Sequence, residues 1–248
     1  FALIAGYAIS SAINSVNRKA ALGISLGILI AFGGCTLIRS RVWKDNSTLF
    51  TTDIKTSQRS AKLLNAVGGD LVTRAEDEKD PVVKKEMLTE AQIYLKEALE
   101  IHPNYKLSYL LLGNASFHLG DLDQAITYFR HVLKMDPNYS EGKRNLGVAL
   151  RDQGKIYGEK NHNLSGAIAL LQEAVQYLPN DYETYQLLGV AHGQAGDTQK
   201  AIEYFRKEIE LAPKNATAHY NLGIALSQAG DTAGANASFE TAKALDPN

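Results

Sequence analysis

The chain has 248 residues, a formal net charge of −1 and 45 % hydrophobic residues. That is ample for a packed helical array, and the near-neutral balance argues against nucleic acid as the main ligand, because phosphate binding needs a surplus of Lys and Arg. The single cysteine, Cys35, excludes a disulfide framework or a cysteine zinc site anywhere else in the chain.

The chain opens on an apolar stretch, Phe1 to Val16, that reads as the second half of a membrane span; since it begins at Phe1 and not Met, the sequence reads as the tail of something longer. Residues Ala20 to Ile38 follow as nineteen uncharged, mostly apolar residues between Arg18-Lys19 and Arg39-Ser40-Arg41, which suits a membrane-spanning helix. A buried helix of a soluble protein competes poorly, because Gly23, Gly27, Gly33 and Gly34 weaken a helix in water and are common in lipid. Residues 1–38 are therefore expected to form a transmembrane hairpin with the lipid bilayer as a partner. Residues 39–60 form a juxtamembrane segment in which Trp43 suits an interfacial anchor. There Leu49, Phe50 and Ile54 supply an apolar face to cap the region after residue 60.

From residue 61 onward the sequence repeats. In the unit from Lys106 to Tyr139, Leu112-Gly113 is followed by Gly120, Ala125, Phe129 and Pro137. The series returns 76 residues later as Leu188-Gly189, Gly196, Ala201, Phe205 and Pro213, and then as Leu222-Gly223, Gly230, Ala235, Phe239 and Pro247. The physical logic is a helical hairpin. The Leu-Gly pair lets a second helix approach, the next Gly ends helix A, and the Ala and aromatic of helix B fill the gap before Pro ends that helix. Two degenerate copies keep the phase. Ala167, Leu171, Ala174 and Pro179 arrive late because of an insertion within Lys155 to Ser165, and Ala91, Leu95, Ala98 and Pro103 because of another within Thr73 to Lys85. The latter is charged and reads as an elongated, solvated helix end or loop.

A 34-residue period with these landmarks resembles the tetratricopeptide repeat (TPR) family. The resemblance implies an all-α TPR superhelical solenoid, preceded by one or two transmembrane helices, with repeats at about 61–105, 106–139, 140–181, 182–215 and 216–248. The order of apolar spans, Trp43-Lys44-Asp45, Leu49-Phe50 and Ser60-Ala61-Lys62 entering the first repeat also resembles the C-terminal region of transmembrane-and-TPR membrane glycosyltransferases of the O-mannosyltransferase kind. In that family the catalytic acidic residues lie in an early membrane-domain loop that nothing here matches, so no catalytic residue carries over.

Helix A of a TPR lines the concave face. The second, fifth, ninth and twelfth positions of each repeat then select Leu107, Leu110, Asn114 and Phe117, followed by Glu141, Arg144, Val148 and Arg151. They go on to select Glu183, Gln186 and Val190, then Tyr220 and Ile224. This mixed surface suits an extended peptide or partner helix. Two known specialisations fit poorly. An asparagine ladder has Asn145 and Asn221 in place but is broken by Leu111 and Leu187, and a carboxylate clamp finds cations only in Lys143, Arg144 and Arg151.

Six dispersed histidines, no glycine-rich phosphate loop and no nucleophile elbow leave catalysis, metal and cofactor without candidates. Six Asn-x-Ser/Thr triplets start at Asn46, Asn114, Asn138, Asn163, Asn215 and Asn236 and read either as glycosylation acceptors or as repeat composition. The function expected is a membrane-anchored interaction scaffold that binds a peptide or partner protein. The alternatives are the substrate-binding arm of a polytopic glycosyltransferase, or a structural subunit of a membrane complex. On topology, Arg39, Arg41 and Lys44 outnumber Arg18 and Lys19 by one and place the repeats in the cytoplasm. The glycosyltransferase resemblance and the triplets place them in the periplasm or lumen, which is the expectation adopted.

Overall fold

The computed structural model describes residues 18–246 apart from 56, 58, 161 and 162, so the apolar stretch Phe1 to Val16, His162 and Pro247 lie outside the described residues. Within them the chain is all-α, with no strand among the described residues. An apolar helix α1 (Arg18–Ser40) leads through a 3-10 turn (Arg41–Lys44) into a short helix α2 (Asn46–Asp53). Five helical hairpins follow. They are α3 (Ala61–Asp77) with α4 (Pro81–Ile101), α5 (Lys106–His118) with α6 (Leu122–Met135), and α7 (Ser140–Glu159) with α8 (Leu164–Tyr177). The last two are α9 (Tyr182–Gln194) with α10 (Thr198–Leu211) and α11 (Ala216–Gln228) with α12 (Thr232–Leu245).

The hairpin turn follows from two adjacent residues. Gly120, Gly196 and Gly230 take φ of 79°, 81° and 85°, left-handed values that cost an L side chain energy and a glycine nothing. The Asp that follows each glycine reaches back with its N–H to close helix A, Asp121 to the Ser116 carbonyl at 2.9 Å, and also caps helix B. Its carboxylate accepts from the backbone three residues on: Asp121 from Gln124 at 3.1 Å, Asp197 from Lys200 at 3.3 Å and Asp231 from Gly234 at 2.9 Å. Each such cap contributes about 1 kcal/mol. In the two hairpins that lack the Gly-Asp pair, Asp80 and Asn163 cap helix B instead. The insertions there are taken up mainly as helix. α7 runs 20 residues where α5, α9 and α11 run 13, and α3 and α4 run 17 and 21.

The core is shared between neighbours. One buried cluster joins Leu110, Phe129 and Val132 to Leu146, Leu150 and Ala174, crossing from the second hairpin to the third. Another joins the first hairpin to Ala115 of α5 and takes in Phe50 and Ile54, so α2 covers the outer side of α3. Arg74 donates to Ser47 Oγ at 3.0 Å across the same contact, and Arg39 pairs with Asp53, tying α2 back to the end of α1. By contrast, among the described residues α1 packs only on the 3-10 turn and, through Arg39, reaches α2. No residue from Gly23 to Ser40 is buried, and Ile24, Leu29, Phe32 and Leu37 are each about two-thirds exposed.

Inside each hairpin, helices A and B meet at a glycine. A Cβ on Gly113 would stand 2.3 Å from the Phe129 ring, one on Gly189 2.5 Å from Phe205, and one on Gly223 2.5 Å from Phe239. Gly113→Ala would gain about 1 kcal/mol of helix propensity, but overpacking against a ring only 1 % exposed costs roughly 1–3 kcal/mol. The net effect expected in urea unfolding is destabilisation. Gly193→Ala, whose Cβ would sit 3.8 Å from Ala201 Cβ, is expected to stabilise by up to about 1 kcal/mol. Equal signs for the two variants would contradict this account of the hairpin contact.

Candidate functional site

Which face is inside follows from the contacts. The A helices (α3, α5, α7, α9, α11) each touch the neighbouring A helix along the array, whereas among the described residues no B helix touches the next B helix. The array therefore curves with the A helices on its inner side. There, α3, α5 and α7 enclose a cleft of about 470 Å³ lined by Glu76, Asn114, Phe117, His118, Phe129, Glu141, Arg144, Asn145 and Val148.

The cleft has an apolar floor and a polar rim. Phe117 packs partly into the core cluster of the second and third hairpins, and Val148 is half-buried beside it. Asn145 Nδ2 donates to Asn114 Oδ1 at 2.9 Å and ties α7 to α5, leaving the outer lone pairs and N–H groups of both amides for other partners. His118 Nε2 lies 3.2 Å from Glu76 Oε1, closing one end, and Tyr139 O–H donates to Glu141 Oε2 at 3.0 Å near the other. Arg144 is exposed at the rim and, among the described residues, forms no salt bridge.

Of the residues the repeat phase selects, Asn114, Phe117, Glu141, Arg144 and Val148 come together here. The others do not. Leu110 is a correction: it is 3 % exposed and belongs to the core, because an aliphatic side chain at this position is drawn into the cluster formed with α6 and α7. Leu107, Val190 and Ile224 lie exposed on the A helices, and Gln186 is half-buried. Tyr220 lines a separate hollow with Phe239, Ala242 and Lys243 at the end of the array. Arg151 and Glu183 meet in an ion network. The guanidinium is 3.0 Å from Asp152, 3.4 Å from Asp181 and 3.1 Å from Glu183, with its side chain 18 % exposed. Burial alone would pull the Arg151 pKa down, but those carboxylates outweigh it and hold the cation in place. Arg151 is thus a clamp between the third and fourth hairpins, already neutralised, and of the two arginines only Arg144 offers an unpaired charge to a ligand.

The sequence pattern does not reveal Glu76 and His118. Glu76 reaches the cleft only because α3 is extended beyond the ordinary repeat length, and His118 faces it from the last turn of α5. The other described histidines are held in local contacts. His102 stacks on Tyr105 and His131 lies tilted against Tyr109, with ring centroids 5.5 and 4.0 Å apart, and His219 bonds the Pro213 carbonyl at 3.0 Å. His192, 4 % exposed, stacks on Tyr204 and faces Asp197 at 3.4 Å; burial pushes its pKa below the ordinary value despite that carboxylate. No group of three or more His, Cys, Asp or Glu among the described residues has a metal-holding arrangement. Three of the Asn-x-Ser/Thr asparagines have structural work: Asn114 in the cleft, and Asn163 and Asn215 as caps of α8 and α11.

The sequence matches two family profiles, the cytochrome c-type biogenesis protein H TPR domain over residues 61–219 and the tetratricopeptide repeat over residues 194–248. No curated protein sequence matches the chain. Among solved structures, YrrB, described as a TPR protein with an unusual peptide-binding site, is similar at a TM-score of 0.55 and 21 % identity, over 80 % of this chain and 93 % of that one. MamA AMB-1 is similar at 0.54 and 20 % identity, over 75 % and 94 %, and a further MamA structure at 0.50 and 24 %, over 72 % and 93 %. At these identities the likeness is one of fold, a TPR solenoid. Because the first profile spans more than half of the sequence, the chain belongs to the cytochrome c-type biogenesis protein H TPR domain family.

Proposed function

We propose that the protein is a membrane-anchored TPR module that captures an extended segment of a partner protein in the cleft between α3, α5 and α7. The observation that carries this is the cleft itself. It combines apolar depth at Phe117 and Val148, two amides able to bond a peptide backbone, and the unpaired cation of Arg144 at the rim. That is the composition of a peptide groove, where a few polar groups orient a chain whose side chains fill apolar depressions. YrrB, a protein of the same fold described as having a peptide-binding site, supports the reading, as does the match to a TPR domain family. No chemistry is assigned to the repeats; they hold a partner.

The anchor is α1, which has no buried residue from Gly23 to Ser40 and is long enough to cross a bilayer. Trp43, 70 % exposed at the next turn, suits the interface. The glycosyltransferase-arm reading rests on the layout of residues 39–68 and the membrane-complex reading on the anchor. The family match begins at residue 61 and adds to neither. The repeats are placed on the non-cytoplasmic side. Protease added to spheroplasts is expected to digest them and, added to sealed inner-membrane vesicles, to leave them intact; the reverse pattern would overturn this topology.

Binding is tested by selecting peptides from a random display library against the detergent-solubilised chain. Arg144→Glu and Phe117→Ala are each expected to weaken the selected peptides at least tenfold with helicity unchanged, whereas Lys200→Glu on α10 leaves them bound. Peptides indifferent to both cleft variants would refute the site. Arg151 is left untouched, since reversing it would strand Asp152, Asp181 and Glu183 without a counter-ion.

A further inference from the structure

One residue breaks the rule that the other hairpins keep. In every helix B the C-cap N–H bonds back to the carbonyl of the same position, which is Ala98 in α4, Val132 in α6, Ala174 in α8, Glu208 in α10 and Ala242 in α12. All are buried. Four of them are small and apolar, while Glu208 carries a carboxyl at 0 % exposure. Its Oε1 accepts one hydrogen bond, from Asn215 Nδ2 at 3.1 Å, and its Oε2 has no partner among the described residues. Asn215 is also the cap of α11, accepting from Thr217 N–H at 3.1 Å, so the pair sits on the joint between the fourth and fifth hairpins.

The surroundings offer no counter-charge. α10 packs on α9 and α11. The titratable groups of α9 are Tyr182, Glu183, Tyr185 and His192, those of α11 are His219 and Tyr220, and Lys214 lies in the turn between. Glu183 is taken by Arg151, His192 by Asp197, His219 by the Pro213 carbonyl, and Tyr185 O–H donates to the Pro179 carbonyl. On α10 itself, Lys207 pairs with Glu210 and Lys200 with Asp197, and among the described residues neither Arg206 nor Lys214 forms an ion pair with Glu208. An ionised carboxylate left with one hydrogen bond in such a place is costly, whereas the neutral acid is tolerated far better.

We propose that Glu208 makes the joint between the fourth and fifth hairpins responsive to pH, tight when its carboxyl is protonated and loosened when it ionises, so that α11 and α12 are released first. Release of a terminal hairpin alone is possible because a repeat array is held by nearest-neighbour contacts. Burial pushes the Glu208 pKa up to about 7 from its ordinary 4.5, which sets the direction. Below pH 4.5 the carboxyl is neutral whether the joint is closed or open. Between 4.5 and about 7 only the open state gives up its proton, so opening gains as pH rises; above about 7 both are ionised and the gain levels off. His192 works the other way, since its depressed pKa penalises acid pH, but it belongs to the α9–α10 contact within the fourth hairpin.

The test is hydrogen exchange on the full chain in mild detergent at pH 5 to 8, corrected for the intrinsic exchange rate. Opening of α11 and α12 is expected to increase by more than tenfold across that range, with α5 and α6 unaffected. Glu208→Gln should abolish the increase, and so should Glu208→Ala, which restores the residue of the first, third and fifth hairpins and covers the case in which the glutamine variant folds poorly. An increase that persists in either folded variant, or no increase in the unsubstituted chain, would overturn the proposal.

Discussion

Everything in this array depends on how closely helix A and helix B of a hairpin approach. Gly113 against Phe129, Gly189 against Phe205 and Gly223 against Phe239 put an aromatic ring where a Cβ would be. The degenerate hairpins reach the same closeness with leucine, Gly68 and Gly154 meeting Leu95 and Leu171 at 2.6 and 2.8 Å from a notional Cβ. The approach fixes the hairpin, and the turn glycine with its capping Asp fixes where it reverses. Only then do the remaining apolar residues of each pair point outward to the next hairpin and build the shared clusters.

That order of dependence explains why the site lies where it does. A helices touch along the inside and B helices do not, so the inner side chains of three successive hairpins crowd together while the outer ones diverge. The lengthened α3 then brings Glu76 over one edge of the second hairpin, where it lines the cleft with Asn114, His118 and Arg144. Further along, Arg151 is neutralised by three carboxylates, so that of the two inner-face arginines Arg144 is the one without an ion pair among the described residues. The protein thus separates residues that hold neighbouring hairpins together from residues left over to hold something else.

How much of this was legible in the sequence depended on the range of the interaction. The hairpins were, because the glycine, alanine and aromatic landmarks act within one repeat. The inward direction of Asn114, Phe117, Glu141, Arg144 and Val148 was also legible, since phase alone sets it. Phase could not reveal what covers a residue. Leu110 shares its phase with Arg144, yet it is buried because α6 and α7 offer it apolar neighbours. Arg151 looked available until Asp181 and Glu183 arrived from the next hairpin, and Glu76 depended on the insertion continuing as helix. Glu208 stood in the sequence as an odd residue among Ala98, Ala174 and Ala242, but its isolation from every counter-charge is a property of the packed joint.

The central claim, that the inner cleft is where the partner sits, is tested most directly by a photo-crosslinking residue placed at Val148 of the protein in its native cells. A matched one goes at Thr127, exposed on α6 outside the cleft. A discrete protein adduct from Val148 and none from Thr127 is the result this account predicts. An adduct from Thr127 with none from Val148 would contradict it and move the binding surface to the outer helices.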